Sequence, residues 1–289
     1  MYKILFICLM FLASSSALAQ HSIDVQRYAA QGEFFKALAE FEKLPKRKVN
    51  TEASLAAAKS AWALGLPDKS LEYYEDALKR GNLNEDARAG IILSEGIIHY
   101  QEGRNELAEV NASKAIKMLD NGIVKSRAFV LWGEVLMKLG KDGAAEEKFQ
   151  NALSLSPDRE KPEIFFLMGR AQMKVGRFKE AEASFKSIDV TSDRLPEALR
   201  YLSLISLEQG NYEATRFWLT KAMKEYPDMF LDSWVDYAMM EVFTNLKETD
   251  NVKKLLTTTT EKYPPSDHWY TLLQSAGESY LWKTQDKAV

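Results

Sequence analysis

Few side chains in this sequence are suited to catalysis or metal binding. The three histidines, His21, His99 and His268, lie in separate segments, and none has a second histidine or a cysteine at a metal-ligand spacing. The single cysteine, Cys8, lies in an apolar run near the start, so the remainder can form neither a disulfide nor a thiolate metal site. We therefore predict no bound metal and no cofactor.

Neighbouring carboxylates are the next candidates for catalysis. Glu146 and Glu147 could serve as general acid and base only if both faced one cleft, and on a helix surface solvated charge is the ordinary explanation. Gly169 and Gly176 lie in helical surroundings, whereas a phosphate-binding glycine loop must follow a strand. Phosphate loops, Gly-x-Ser-x-Gly elbows and His-Glu-x-x-His helices do not occur in the sequence. We predict that the chain is not an enzyme.

The charge balance bears on the class of partner. The sequence has 38 basic and 41 acidic residues, which gives a net charge of −3. A general binder of nucleic acid or anionic lipid ordinarily carries a basic field over its surface. The balance therefore disfavours both, and we predict no nucleic-acid partner.

Residues 1–19 have the pattern of a signal peptide. Lys3 supplies a positive charge, residues 4–13 are apolar, and Ala17 and Ala19 are small residues at the positions that a signal peptidase reads. Such an apolar run spans about 15 Å as a helix, roughly half of a bilayer core. We predict cleavage after Ala19, export to a bacterial periplasm and no membrane span in the mature chain. The alternative is an uncleaved N-terminal anchor.

A repeat runs through most of the chain. Six glycines mark it at nearly even intervals: Gly32, Gly65, Gly103, Gly140, Gly176 and Gly210. Five positions after each stands a small or medium side chain: Ala37, Ser70, Ala108, Ala145, Ala181 and Thr215. Nine positions after each stand, in order, Phe41, Tyr74, Ala112, Phe149, Phe185 and Leu219. Seven positions before three of the markers is a second glycine: Gly96, Gly133 and Gly169. Agreement over all six copies is far beyond chance.

This spacing predicts pairs of helices joined by a tight turn, in which the marker glycine adopts the positive φ that ends the first helix. The small residues let the paired helices approach closely, and the aromatic residue fills the gap to the next pair. Each pair alone leaves an apolar face uncovered, so consecutive pairs stack. All eight prolines fall at proposed helix ends, where they break no helix: Pro45, Pro67, Pro157, Pro162, Pro196, Pro227, Pro264 and Pro265.

The fullest copy of the pattern is carried by Phe129, Trp132, Gly133, Leu136, Gly140, Ala145, Phe149, Ala152 and Pro157. It resembles the tetratricopeptide repeat. Residues 165–185 and 199–227 are the next best copies, and those around Gly65 and Gly103 are degenerate. The resemblance implies an all-α fold, a right-handed superhelical solenoid of antiparallel helix pairs, with six or seven repeats over residues 20–265.

Residues 266–289 are predicted to form a C-terminal capping helix and tail. Ser266 is suited to the N-cap, and apolar residues follow at helical spacing: Trp269, Leu272, Leu273, Ala276, Tyr280 and Leu281. A solenoid needs a cap over its last exposed face. The alternative is that Trp269, Tyr280 and Trp282 form an edge that docks a partner or a second copy.

The resemblance also implies which residues line the concave face. In this family the first helix of each pair lines it, at positions ten, six and three before the turn glycine. Here those positions hold Leu55, Leu93, Val130, Phe166 and Arg200, then Lys59, Ile97, Glu134, Arg170 and Leu204, then Trp62, Tyr100, Met137, Met173 and Leu207. An apolar wall with isolated charges suits an extended or helical peptide.

Burial in the core is an equally good interpretation for each of these residues. It is favoured for Trp62 and Tyr100, whereas a place in the groove is favoured for Arg170 and Arg200, because burying an unpaired guanidinium is costly. We predict a non-enzymatic periplasmic scaffold or adaptor for an envelope assembly, such as pilus, secretion, polysaccharide export or wall-synthesis machinery. Its partner would be a protein or peptide in the groove. The alternative is that groove aromatics bind carbohydrate or peptidoglycan fragments.

Overall fold

The computed structural model describes residues 22–120 and 122–285 of the chain. The predicted signal peptide, with Cys8, and His21 lie outside these residues. Within them all regular structure is helical. The helices are α1 (22–30), α2 (Phe34–Glu42), α3 (Thr51–Ala63), α4 (Pro67–Arg80), α5 (Glu85–Gln101), α6 (Asn105–Met118), α7 (Gly122–Lys138), α8 (Asp142–Leu155), α9 (Lys161–Lys174), α10 (Phe178–Lys186), α11 (Leu195–Glu208), α12 (Tyr212–Glu225), α13 (Ser233–Asn245), α14 (Thr249–Lys262) and α15 (His268–Gln285). Short 3₁₀ turns precede α3, α9 and α13: Lys46–Lys48, Asp158–Glu160 and Pro227–Met229.

The helices α1 to α14 form seven consecutive pairs, and α15 follows alone. Each of the first six turns contains its predicted marker glycine, with φ between 68° at Gly210 and 76° at Gly32 and Gly176. L-residues other than glycine rarely adopt this conformation, because Cβ crowds the following carbonyl oxygen. The prediction of a left-handed glycine that ends each first helix is confirmed at all six turns.

The seventh turn uses a lysine where the others use glycine. Lys247 lies between α13 and α14 with φ of 62°. The amide of Glu248 donates to the carbonyl of Phe243 at 2.8 Å, as the amide of Asn211 donates to Ser206 at 2.8 Å after Gly210. The turn geometry is thus kept without glycine, at a conformational cost that glycine would not carry.

The small residues of the repeat allow close helix contact, as predicted. The side chains five positions after the marker are fully buried: Ala37, Ser70, Ala108, Ala145, Ala181 and Thr215. A Cβ on Gly169 would lie 2.8 Å from the ring of Phe185, and one on Gly96 would lie 3.1 Å from Cβ of Asn111. These backbones approach their partner helices too closely for a side chain to fit without displacing its neighbours.

The chain folds into two compact units, one that ends at Ser156 and one that begins at Pro157. In the first unit, α2 to α8 pack in sequence around several small cores, one of which joins Tyr74, Ala77, Ile91 and Ile98. In the second unit the largest core spans α9 to α13, and the rings of Phe185 and Tyr201 stack in it at 5.1 Å. The single solenoid over residues 20–265 and its superhelical hand stay predictions.

The helix α15 packs on both members of the last pair, α13 and α14. Leu273 is fully buried in a core with Met240 and Val252. The predicted N-cap, Ser266, lies in the preceding turn, and the carboxylate of Asp267 instead accepts from the amide of Trp269 at 2.7 Å. In the described ranges no helix, α15 included, is both long and apolar enough to cross a membrane.

Candidate functional site

The first helices of the pairs carry all the predicted groove residues. They are α3, α5 and α7 in the unit that ends at Ser156, and α9 and α11 in the unit that begins at Pro157. Each packs along its own second helix, and α5 also contacts α7 directly. Because one face of each first helix is used for these contacts, burial decides which of the predicted residues could meet a partner.

Five predicted residues on α3 and α5 keep surface for a partner. Lys59 is exposed, and Ile97 is 37% exposed, although α5 contributes many residues to the core. Leu55 and Trp62 are half-buried and pack at the margin of the core around Tyr74. Tyr100 is half-buried beside the next core, which includes residues of α7. Among these five, partly exposed apolar side chains on α3 and α5 are accompanied by one exposed cation.

Three of the predicted groove residues are buried. Leu93 is 6%, Met137 8% and Phe166 2% exposed, so they offer a partner almost no surface. Val130 and Glu134 on α7 are half-buried. The other predicted residues stay candidates for a binding face, whereas the three buried ones contribute mainly by packing.

The predicted residues on α9 and α11 are mostly half-buried. The guanidinium of Arg170 lies 5.8 Å from the centre of the Phe166 ring, a cation–π arrangement that holds it over the aromatic core. Met173 and Leu207 pack against this core, and Leu204 is half-buried on α11. These two helices therefore also combine apolar side chains with an arginine.

Arg200 is fixed within the protein. Its Nη2 donates to Oδ2 of Asp232 at 2.5 Å and to the carbonyl of Met229 at 2.9 Å. Its guanidinium also lies 4.9 Å from the ring centre of Phe230 and 5.4 Å from that of Trp234. Burial alone would raise the pKa of Asp232, but hydrogen bonding and charge from Arg200 hold it below its usual value. Arg200 therefore ties α11 to the α12–α13 connection.

Arg194 is a second arginine of this kind, and sequence reasoning missed it. It forms a bidentate pair with Glu163 of α9, in which Nη2 lies 2.9 Å from Oε1, and its Nη1 donates to Glu197 at 2.9 Å. Its guanidinium lies 4.9 Å from the centre of the Phe166 ring. A sequence signal for these ion pairs did exist, namely opposite charges separated by about one repeat. Glu163 and Arg194 are 31 positions apart, and Arg200 and Asp232 are 32 positions apart. Both separations are close to one repeat.

The placement of the ionisable groups bears on metal binding and catalysis. In the part of the chain that the structure describes, no group of three or more His, Cys, Asp or Glu residues could hold a metal. Glu146 is 6% exposed and accepts from Gln150, whereas Glu147 is exposed and pairs with Lys148 at 2.8 Å, so the two carboxylates face different surroundings. Burial, aided by the charge of Arg104, lowers the pKa of His99, which favours the neutral ring at neutral pH.

A cavity of about 740 Å³ lies at the edge of the second unit, where the α10–α11 connection meets the start of α9. Its walls include Asp158, Glu163, Asp189, Asp193 and Arg194. Asp189 accepts from the amide and hydroxyl of Thr191, and Arg194 is committed to Glu163, so these groups mainly hold the loop in place. None of the predicted groove residues lines this cavity.

Comparison with known proteins agrees with this architecture. A family model described as Tetratricopeptide repeat matches residues 55–123. Among solved structures, the C-terminal part of a TPR repeat-containing protein from Cytophaga hutchinsonii matches with a TM-score of 0.63 and 13% identity, over 90% of this chain and 94% of that one. Residues 55–123 are tetratricopeptide repeats by this match, and the chain has the fold of tetratricopeptide repeat structures.

Two further solved structures share this fold. One, from Parabacteroides merdae, has a TM-score of 0.57 and 14% identity, over 82% of this chain and 92% of that one. The other, pilF of Pseudomonas aeruginosa, has a TM-score of 0.56 and 19% identity, over 74% and 93%. No curated protein sequence matches significantly. At these identities the likeness to the solved structures shows the fold alone.

The segment that the family model matches contains the two copies whose sequences fit the repeat pattern least well. It runs from α3 to the start of α7 and includes the turns at Gly65 and Gly103. Both turns have the same positive φ as the turn at Gly140 in the fullest copy, 71°, 73° and 71° respectively. The degenerate copies are therefore complete tetratricopeptide repeats in structure.

Proposed function

We propose that this tetratricopeptide repeat protein is a non-enzymatic scaffold of the bacterial periplasm, which binds a protein or peptide partner of an envelope assembly along its first helices. Three observations support the proposal. The fold is one that binds proteins, the described residues hold no cluster that could bind a metal, and residues 1–19 have the pattern of an export signal. The candidate machinery includes pilus, secretion, polysaccharide export and wall-synthesis systems.

The observation that carries the binding role is the character of the α3–α5 surface. Ile97 is 37% exposed in the middle of α5, three positions before the half-buried Tyr100. Lys59 and Trp62 occupy the equivalent positions of α3, where Lys59 is exposed and Trp62 is half-buried. An aliphatic side chain exposed to water gains free energy when a partner covers it. An exposed cation beside it then selects partners with a carboxylate at the matching position.

A site-specific crosslink tests the proposal directly. A photoreactive residue placed at Ile97 should capture a defined partner from intact envelopes, and Ile97→Glu should abolish recovery of that partner. Val110→Glu is the matched control, because Val110 is 61% exposed on the second helix α6 and its change adds the same charge. If the Ile97→Glu and Val110→Glu variants recovered the partner equally well, the first helices would not be the binding face.

Carbohydrate or wall-fragment binding is the second candidate, since Trp62 and Tyr100 keep part of their surface accessible. Sugars stack on such rings. Peptidoglycan fragments should then quench the fluorescence of the wild-type protein and quench it much less in Trp62→Leu. If the fragments leave the fluorescence unchanged, the protein-partner proposal stands alone.

We also propose that α15 offers a surface for self-association. Trp282 is 70% exposed, which is unusual for so large an apolar side chain on a monomer. Sedimentation of Trp282→Ser should show a smaller particle than wild type if α15 joins two copies. Deleting the whole helix is a poorer test, because Leu273 covers Met240 and Val252 and its loss would expose that core.

The mass of the mature protein tests the proposed export and cleavage. The mass of the protein recovered from a periplasmic fraction should correspond to a chain that begins at Gln20, which is the cleavage that Ala17 and Ala19 predict. Recovery of the intact chain from the membrane fraction would favour the uncleaved anchor.

A further inference from the structure

The net charge of −3 conceals one strongly basic segment. Residues 43–48 contain four basic side chains, which belong to Lys43, Lys46, Arg47 and Lys48. They form the connection between α2 and α3, which we call the basic loop, and all four are exposed. Interactions between exposed charges are screened beyond about 8 to 10 Å in physiological salt, so a partner at this loop senses the local charge.

Hydrogen bonds from a side chain of α4 hold the backbone of the basic loop. Arg80 of α4 donates through Nη1 to the carbonyl of Val49 at 2.6 Å and reaches the carbonyl of Lys46 at 3.4 Å. Asp76 fixes this arginine through two contacts at 2.6 and 2.9 Å, and it accepts from Ser54 at 2.6 Å. The loop is therefore ordered through its carbonyl groups, which leaves the basic side chains free to project outward.

Most of the positive charge of the basic loop is not neutralised. Lys43 pairs with Glu40 at 2.5 Å. In the described part of the chain no carboxylate pairs with Lys46, Arg47 or Lys48, and the nearby Glu42 pairs with Lys69 at 3.1 Å instead. Three adjacent cations held together without a counter-charge repel one another, so an external anion stabilises the arrangement.

An exposed aromatic ring accompanies these cations. Phe35 is 76% exposed, more than any other large hydrophobic side chain that the structure describes. It lies on the same helical stripe as Ala39 and Lys43, the C-cap of α2, at spacings of four and eight positions, so the stripe leads from the ring into the basic loop. Phe35 and Lys43 are about 12 Å apart along the helix axis, a separation that one flat surface can span. Exposed basic and aromatic side chains together are the composition of a surface that rests at a lipid–water interface.

We propose that the basic loop and Phe35 dock this protein on anionic phospholipid headgroups. The lysine and arginine side chains contact headgroup phosphates, and the Phe35 ring enters the interface. Lys46 borders a recess of about 250 Å³, but Glu42, Glu72 and Asp76 also line that recess, and their carboxylates disfavour an acidic peptide inside it. Exposed cations at the surface of the loop can instead contact the phosphates of a planar headgroup array. This surface is distinct from the first-helix face, so the inference goes beyond the proposed function and does not depend on it.

Vesicle flotation of the exported form, which begins at Gln20 and lacks the apolar residues 4–13, tests the inference. Binding to vesicles of one part phosphatidylglycerol to two parts phosphatidylcholine should exceed binding to pure phosphatidylcholine, and it should fall steeply as salt rises from about 50 to about 500 mM. The triple variant Lys46→Glu, Arg47→Glu, Lys48→Glu should lower the affinity on the order of 100-fold. Phe35→Ser should lower it several-fold. The triple variant keeps the carbonyl groups that Arg80 uses, and its circular dichroism should match wild type.

A second triple variant with the same change in net charge is the control. Lys224→Glu, Lys253→Glu, Lys254→Glu alters three exposed lysines on α12 and α14 and should bind vesicles as wild type does. If both triple variants lost vesicle binding equally, net charge alone would explain the effect, and the proposal would be overturned. Binding to soluble polyglutamate with none to the anionic vesicles would also overturn it, in favour of an acidic protein partner.

Discussion

The ring of Phe149 lies against the backbone of Gly133, where no side chain has room. A Cβ on Gly133 would lie 2.7 Å from Cζ and 2.9 Å from Cδ1 of that ring. Gly169 and Phe185 repeat the relation in the next pair, with 2.8 Å to Cζ. In both pairs the phenylalanine is fully buried, so the ring cannot swing aside into solvent. Helix spacing in these repeats is therefore set by a glycine and an aromatic residue together.

Gly133→Ala should destabilise the protein by about 1–3 kcal/mol, because the added methyl group overpacks the Phe149 ring. Urea unfolding followed by circular dichroism measures the change. Gly90→Ala is the matched control, since Gly90 also lies inside a helix but a Cβ there meets nothing within 4 Å. That variant should gain up to about 1 kcal/mol from helix propensity alone. Equal stability of the two variants would mean that the ring contact imposes no constraint.

Lys247→Gly should stabilise the protein by about 0.5–1 kcal/mol. The left-handed conformation of Lys247, with φ of 62°, costs a side-chain-bearing residue about 1–2 kcal/mol, and the greater freedom of glycine in the unfolded chain offsets part of the gain. Thermal and urea unfolding measure the difference. Gly210→Ala, at the corresponding position of the previous pair, should lose stability for the same reason. A loss of stability in Lys247→Gly would contradict the prediction. It would show that the lysine side chain makes a stabilising contact.

Glu95→Gln should stabilise the protein at neutral pH and make no difference in acid. Burial raises the pKa of Glu95 above its ordinary value of 4.5, while Lys114 opposes the shift and Glu75 adds to it. Between 4.5 and the raised pKa the folded state binds more protons than the unfolded state, so stability falls as pH rises through that window. Glutamine removes this loss. Unfolding in urea at pH 7 and at pH 4 measures it.

Glu72→Gln is the control for the pH effect, because Glu72 is exposed on α4. It should leave the free energy of unfolding nearly unchanged at both pH values. A stabilisation by Glu95→Gln that persists undiminished at pH 4 would show that charge is not its cause.

Leu273→Ala should cost about 2–5 kcal/mol if α15 caps the last pair, because it opens a cavity between Met240 and Val252. Amide hydrogen exchange should locate the loss in α13 to α15. Thr271→Ala, at an exposed position of the same helix, should be nearly neutral. Unchanged exchange in α13 and α14 would indicate that α15 is only loosely attached.

Several features of this protein were predictable because they are local. The marker glycines, the prolines at helix ends and the buried small residues all follow from the geometry of a helix, a turn and a second helix, which each repeat carries within its own residues. The N-cap of α15 shows the limit of such reasoning, because Ser266 and Asp267 are both good caps and only the hydrogen bond to Trp269 distinguishes them.

Other features depended on the neighbouring repeat. Phe166 and Ile97 both lie on first helices at predicted groove positions, yet one is 2% and the other 37% exposed. The partners of Arg194 and Arg200 lie 31 and 32 positions away, a separation at which this charged sequence offers many equivalent pairs. The charge balance of the whole sequence gave no sign of the basic loop as a surface, and its anchoring by Arg80 depends on residues more than 30 positions apart.

The order of residues along the chain was enough to establish the helical repeat and its six glycine turns. Which first-helix side chains are buried, which charges are paired and which cations stay exposed became known only from the packed helices. Turn and helix geometry are set by residues a few positions apart, whereas burial and ion pairing depend on how closely one helix pair packs against the next.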